Sequence, residues 1–204
     1  ASGAKHVMLL NRSAAKPEAI DVINKIEAEY ATKVMLFSCD IANYTNVSAV
    51  LNEITNIAPI AGIIHAAGVV DDALIASQDA AKYYAVMHPK VLGAWNLYNW
   101  VVEKKLNLGF FVSFSSMSAY LGNPGQLNYA ASNSFLNSFA VYQKLQGSRN
   151  CFSIAWGPWA QVGMAATMDR ASKEQMAMSG IKSFMPETGV KAFAQIFNSR
   201  AAKN

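Results

Sequence analysis

Strand-length apolar runs alternate with helix-length stripes along almost the whole chain, and that order limits the possible folds more than any single residue does. His6 to Leu10 is β-prone, Pro17 to Tyr30 helical and Lys33 to Phe37 strand-like. Apolar residues then recur at helical spacing over Val47 to Ile57, Ile60 to His65 reads as a buried strand, and Ala80 to Val102 reads as a long helix interrupted at His88-Pro89. Phe110 to Ser115 is expected as strand, Tyr129 to Leu145 as helix, Cys151 to Trp156 as the last strand, and Ala165 to Ser179 and Pro186 to Asn198 as helices, Pro186 suiting a first turn. Strand, crossover helix and parallel strand in succession imply an open α/β sheet, Rossmann-like and doubly wound, with helices on both faces. Residues 1–204 read as a single domain without internal repeat or linker, and the stretch at about 160–184, between last strand and closing helix, reads as a lid.

Such sheets bind ligands at the carboxyl ends of their strands. The polar motifs fall there: Asn11-Arg12-Ser13, Cys39-Asp40, His65-Ala66-Ala67-Gly68, Ser115-Ser116 and Trp156-Gly157-Pro158 each follow a strand. Composition removes other classes. With 52% hydrophobic and 15% charged residues in 204, the chain can bury one substantial core, but no apolar run reaches the roughly 18 residues that span a bilayer. A net charge of +4 without an arginine-rich arm does not indicate nucleic acid, and scattered lysines read as solvated surface. His6, His65 and His88 lack ligand spacing and two cysteines make no cluster, so no metal is assigned. Cys39 and Cys151 are expected as buried free thiols in a reducing compartment, and the chain as soluble and cytoplasmic.

Tyr129 and Asn133 are four apart and share a helix face, while Ser116 ends the preceding strand. A phenol is a poor acid at neutral pH unless a nearby cation favours its anion, and Lys90, on the helix ahead of that strand, is the candidate cation. Tyr129 could then protonate a developing alkoxide while Ser116 donates a hydrogen bond to the same oxygen, with Asn133 orienting Lys90 or a relay water. Taken singly, these residues read equally as a rim aromatic, a turn serine and a solvated lysine; their joint placement at the ligand edge favours chemistry.

The stretches from His65 to Asp72, Pro89 to Leu97, Phe114 to Ser116, Gly122 to Asn133 and Ile154 to Trp159 resemble, in sequence and order, the ketoreductase domain of modular polyketide synthases and related fatty acid synthases, within the short-chain dehydrogenase/reductase superfamily. The likeness runs from Gly3 to about Phe197. Common members of the superfamily place a lysine four residues after the tyrosine; here Asn133 stands there and Lys90 takes the lysine's role, as in the synthase domains. The resemblance implies a catalytic set of Lys90, Ser116, Tyr129 and Asn133. It implies NADPH, with Arg12 and Ser13 at the 2'-phosphate, Asp40 and Ile41 flanking adenine, and Ala66, Ala67, Gly68 and Pro158 along the cofactor.

It also implies that Val70, Asp71, Asp72, Leu121 and Met164 control substrate approach. Val70-Asp71-Asp72 stands where a Leu-Asp-Asp triad accompanies the B-type 3R product, and Leu121 where a tryptophan accompanies the opposite one. The alternative for Asp71 and Asp72 is that they cap the following helix. The implied activity is NADPH-dependent reduction of a β-ketoacyl thioester carried on the phosphopantetheine arm of an acyl carrier protein, next to neighbouring synthase domains and with neither nucleic acid nor membrane as partner. A family domain carries a further strand, glycine-rich turn and helix ahead of Ser2, so this length of chain is expected to need an N-terminal segment of the same domain to bind cofactor. A catalytically inactive docking domain and a free-standing reductase of small carbonyl compounds are the alternatives.

Overall fold

The computed structural model describes residues 3–148, 150–164, 170–178 and 180–201. Every strand pair among the described residues is parallel. β1 (His6–Asn11) lies beside β2 (Lys33–Ser38), and β3 (Gly62–His65), β4 (Phe110–Ser116) and β5 (Cys151–Trp156) form a second sheet in that order. The connections are helical, as parallel pairing requires: α1 (Pro17–Glu29), α2 (Tyr44–Ile57), α3 (Ala80–Met87), α4 (Gly93–Glu103), short α5 (Ser118–Leu121), α6 (Leu127–Leu145), α7 (Arg170–Met178) and α8 (Pro186–Ala201). This is the Rossmann-like α/β class. The described residues divide into two compact units, one up to Ala61 together with Leu92–Asn107, the other Gly62–Val91 together with those from Leu108 onward.

In the first unit, Asn11 and Ser38 are register partners, so β1 and β2 end together and Cys39 N–H closes onto the Asn11 carbonyl at 2.9 Å. The α2 residues Val47, Leu51 and Ile54, at helical spacing, form its buried stripe, and Ala94, Leu97, Trp100 and Val101 do the same on α4, against which α2 packs. Asn43 caps α2 by accepting the Asn46 N–H at 3.1 Å. Leu9 and Leu36 nevertheless stay exposed, and α1 buries no residue, so the described residues leave apolar surface of this sheet uncovered.

The second unit is a sandwich whose two sides follow from strand alternation. Phe110, Val112 and Phe114 of β4 and Phe152, Ile154 and Trp156 of β5 point one way and pack with Phe193, Ile196 and Phe197 of α8. The intervening residues turn to α6: Ser115 Oγ donates to the Asn133 carbonyl at 3.0 Å, and Ser153 Oγ donates to Asn137 Oδ1 at 2.8 Å. α6 and α8 therefore cover opposite faces of one sheet, and α6 is held at a fixed height against β4.

The long helix expected over Ala80 to Val102 is present in three parts, with a π-helical turn at His88–Leu92 between α3 and α4. The cause lies in Pro89, which has no N–H for the regular ladder and whose ring crowds the carbonyl four residues earlier; a widened turn relieves both. Residues 165–169 and 179 of the expected lid and of its helix lie outside the described residues. At the neck of that stretch, Phe184 bridges to Trp159, with Ala160 N–H donating to the Phe184 carbonyl at 2.8 Å and Phe184 N–H to the Pro158 carbonyl at 3.1 Å. Cys39 and Cys151 are buried free thiols.

Candidate active site

In the second unit, four side chains converge where β4 ends. Ser116 is the last residue of β4, and its Oγ accepts the Ser118 N–H at 3.2 Å, which occupies a lone pair and leaves the hydroxyl proton free to donate elsewhere. Tyr129 and Asn133 are one turn apart on α6. The Asn133 amide donates to the Tyr129 carbonyl at 2.8 Å, and its Oδ1 is buried without a hydrogen-bond partner among the described residues. Lys90 comes from the π-helical turn. Its side chain is only 2% exposed, Nζ donates to the Phe114 carbonyl at 3.0 Å, and the same ammonium stands 5.5 Å from the centroid of the Tyr129 ring.

Burial governs the ionisation of this group. It lowers Lys90 from its ordinary value to about 8, because an ammonium loses its hydration here. It raises Tyr129, which hydrogen bonding from Asn133 and Ser116 partly offsets, while the charge of Asp72 adds to the rise. A buried phenol that remains protonated at neutral pH, with a hydroxyl donor and an ammonium nearby, is equipped to give up a proton to an oxyanion.

The sequence from His65 to Gly68 closes this site from β3. A Cβ built on Gly68 would lie 2.8 Å from Lys90 Cε, so only glycine leaves room for the lysine chain. Ala66 is exposed and Ala67 half-buried, leaving a small-residue surface that a flat ligand can approach closely. Pro158 and Met164 are half-buried and belong to the same unit.

The loop Val70-Asp71-Asp72 is fastened at several points. Lys82 Nζ donates to Asp71 Oδ1 at 2.7 Å, Gln126 Nε2 to Asp72 Oδ2 at 2.8 Å, and Ala73 N–H to the Gly125 carbonyl at 2.9 Å. Neither aspartate caps α3, which removes that alternative: the cap is Asp79, accepting the Lys82 N–H at 2.8 Å. Val70 is exposed, and Leu121, at the end of α5, is 66% exposed. Sequence reasoning assigned nothing to Asn128, yet it is wholly buried, donates to the Asp71 carbonyl at 3.0 Å and to the Lys82 carbonyl at 3.3 Å, and accepts the Tyr129 N–H at 2.8 Å. It ties this loop to the backbone of Tyr129. Gln126 was equally missed; a buried amide and a surface amide look alike in sequence.

The remaining residues of interest belong to the first unit. Arg12 and Ser13 follow β1 and are exposed, and Arg12 makes no ion pair among the described residues. Asp40 Oδ1 accepts the Ala42 N–H at 3.0 Å, and Asn96 Nδ2 donates to the Ile41 carbonyl at 2.9 Å, so the turn after β2 has a fixed shape. A free guanidinium beside a hydroxyl suits a phosphate. Among the described residues no group of acidic, cysteine and histidine side chains could hold a metal, and no helix is long and apolar enough to cross a membrane.

A family model described as the KR domain matches residues 1–161. The chain is 36% identical over 192 residues, 93% of its length, to the phenolphthiocerol synthesis polyketide synthase type I Pks15/1 of Mycobacterium marinum, and 39% identical over 166 residues, 80% of its length, to a naringenin synthase of Pestalotiopsis fici. It spans only 9% and 6% of those relatives. Among solved structures, an A-type ketoreductase from a modular polyketide synthase is similar with a TM-score of 0.87 and 32% identity, covering 97% of this chain and 41% of that one. A ketoreductase domain from the bacillaene assembly line gives 0.84 and 30%, covering 96% and 47%. With the model match over most of its length and this fold, the chain belongs to the KR family, the ketoreductase domains of polyketide synthases with their short-chain dehydrogenase type of fold.

Proposed function

We propose that this chain reduces the β-keto group of an acyl thioester, presented on the phosphopantetheine arm of an acyl carrier protein, to a β-hydroxyacyl thioester with NADPH. The observation that carries the proposal is the convergence of Lys90, Ser116, Tyr129 and Asn133 on one end of one unit. NADPH, when bound, supplies the hydride. Ser116, whose lone pair is already engaged by Ser118 N–H, donates its proton into a hydrogen bond to the carbonyl oxygen. Tyr129 transfers its proton to that oxygen as negative charge develops there. The buried ammonium of Lys90 stabilises the phenolate left behind, and the unpartnered Asn133 Oδ1 holds a water through which the proton is restored. Charge balances: one hydride and one proton convert carbonyl to hydroxyl.

The residues available fit the cofactor. Ala66, Ala67 and Gly68, with Pro158, provide a surface of small side chains, while the exposed Arg12 and Ser13 would receive the 2'-phosphate and Asp40 with Ile41 the adenine. In this reading the two units serve one catalytic domain and the stretch at 160–184 acts as its lid. Neighbouring synthase domains and the carrier protein are the partners.

A second reading is a docking domain without activity, because a similar protein of Mycobacterium tuberculosis, 34% identical over 195 residues, bears the name "Putative inactive phenolphthiocerol synthesis polyketide synthase type I Pks1". The presence here of all four proposed catalytic side chains favours reduction. The test is Tyr129→Phe in the full-length protein with a simple β-ketoacyl thioester. Removing the acid while keeping the ring should slow reduction by roughly 100-fold or more and leave NADPH affinity intact. A Y129F rate close to wild type defeats the proposal.

A further inference from the structure

We infer that His65 is a positioning residue that sets the location of the Lys90 ammonium by holding the Lys90 backbone through a hydrogen bond from its imidazole. The inference rests on the proposed function and extends it to a residue that touches neither substrate nor cofactor in that reading.

His65 ends β3 and is 2% exposed. Its Nε2 lies 3.2 Å from the Lys90 carbonyl oxygen. A carbonyl only accepts, so Nε2 carries the proton, which fixes the tautomer. Burial, and then the neighbouring positive charge of Lys90, push the imidazole down to about 4 despite the opposing effect of that hydrogen bond, so His65 is neutral at physiological pH and adds no second cation beside the ammonium.

The bond matters because of where Lys90 sits. It lies in the π-helical turn that Pro89 forces between α3 and α4, and a widened turn lacks the tight ladder that sets side-chain direction in an α-helix. An external anchor therefore has work to do at this position. The segment from His65 to Gly68 grips Lys90 twice: His65 holds the carbonyl, and Gly68 leaves a channel for the side chain, where an added Cβ would stand 3.3 Å from Nζ itself. Nζ then reaches the Phe114 carbonyl and the face of Tyr129. Releasing the carbonyl frees the turn, and the ammonium loses its alignment with the phenol.

The test compares His65→Leu, which removes the donor, with His65→Gln, whose amide can place an N–H near the Nε2 position, in the full-length protein. H65L should lower kcat roughly tenfold or more, a size expected for a misplaced catalytic group, with KM for the thioester and the dissociation constant for NADPH within about twofold of wild type. H65Q should recover most of that loss. In a Lys90→Met background the H65L change should cost little more, because both act through one ammonium. Thermal melting of each variant separates misfolding from misplacement. H65L with unchanged kcat overturns the inference, as does H65Q that folds like wild type yet turns over no faster than H65L. If K90M itself reduces substrate at the wild-type rate, the proposed function fails rather than the role of His65.

Discussion

Lys90 and His65 are both almost wholly removed from solvent, yet burial leaves one cationic and the other neutral at pH 7, because the lysine begins from a much higher pKa. This gives reduction a defined alkaline limit. Lys90 titrates at about 8 in the folded protein, while burial keeps Tyr129 protonated beyond its ordinary value. Above pH 8 the phenol still holds its proton but loses the cation that stabilises its anion, so kcat should fall with an inflection near 8. The sign for stability is opposite. Between about 8 and the higher pKa of the unfolded chain, the unfolded state binds more protons at this lysine, so its contribution favours folding more as pH rises. A kcat profile from pH 6 to 10 on wild type and K90M checks this; K90M should be slow throughout and lack the inflection, and an inflection shared by both proteins would assign it elsewhere. Arg12 is exposed and makes no ion pair among the described residues, which makes its prediction simple: Arg12→Ala should weaken NADPH much more than NADH, and equal losses in the two dissociation constants would show that it reads no phosphate. The spacing of Tyr129 and Asn133 was legible because helical period alone puts them on one face. Asn128, Gln126 and the grip of His65 were not, since each depends on a carbonyl or carboxylate distant in sequence.

Elements place those residues. Pro89 explains why the helix bearing Lys90 passes through a π turn, and the alternating residues of β4 explain why Ser115 fastens α6 while Phe114 faces α8. The interruption was visible from sequence as His88-Pro89; its conversion into a widened turn rather than a break was not, because that outcome depends on packing around the turn. The loop at Val70-Asp71-Asp72 is pinned to α3 through Lys82, to Gln126 ahead of α6, and to the start of α6 through Asn128. A loop fixed this firmly next to Tyr129 is suited to choosing which side of the cleft admits the substrate arm. Because Val70-Asp71-Asp72 stands where the resemblance puts the triad of the B-type domains, reduction of a simple β-ketoacyl thioester should give mainly the 3R alcohol, as read by chiral chromatography, and a mainly 3S product would remove this loop's assignment. Gln126→Ala, which frees Asp72, should erode the stereochemical ratio before it erodes rate; an unchanged ratio would show that the loop's fastening does not govern facial choice.

At the scale of the molecule, the order of strands and helices was readable because parallel pairing demands crossover helices and each apolar run was bounded by polar turns. The extent of burial was not. Leu9, Leu36 and Ile64 sit on strands whose composition suits a covered sheet, yet they are exposed, because cover depends on which elements meet a sheet and not on the strand's own residues. The stretch expected as a lid at 160–184 is described over 160–164, 170–178 and 180–184, with α7 inside it, and at its neck Pro158, Ala160 and Phe184 join in strand-like bonds. The central claim, hydride delivered to a β-carbon with Tyr129 as acid, has a direct measurement. The full-length protein is given a β-ketoacyl thioester and NADPH carrying deuterium at the transferable position of the nicotinamide, and the product is examined by mass spectrometry and proton NMR. The account predicts a β-hydroxyacyl thioester with one deuterium on its β-carbon from wild type and only trace product from Y129F. Hydroxyl product without label on that carbon, or equal labelled product from Y129F, would contradict it.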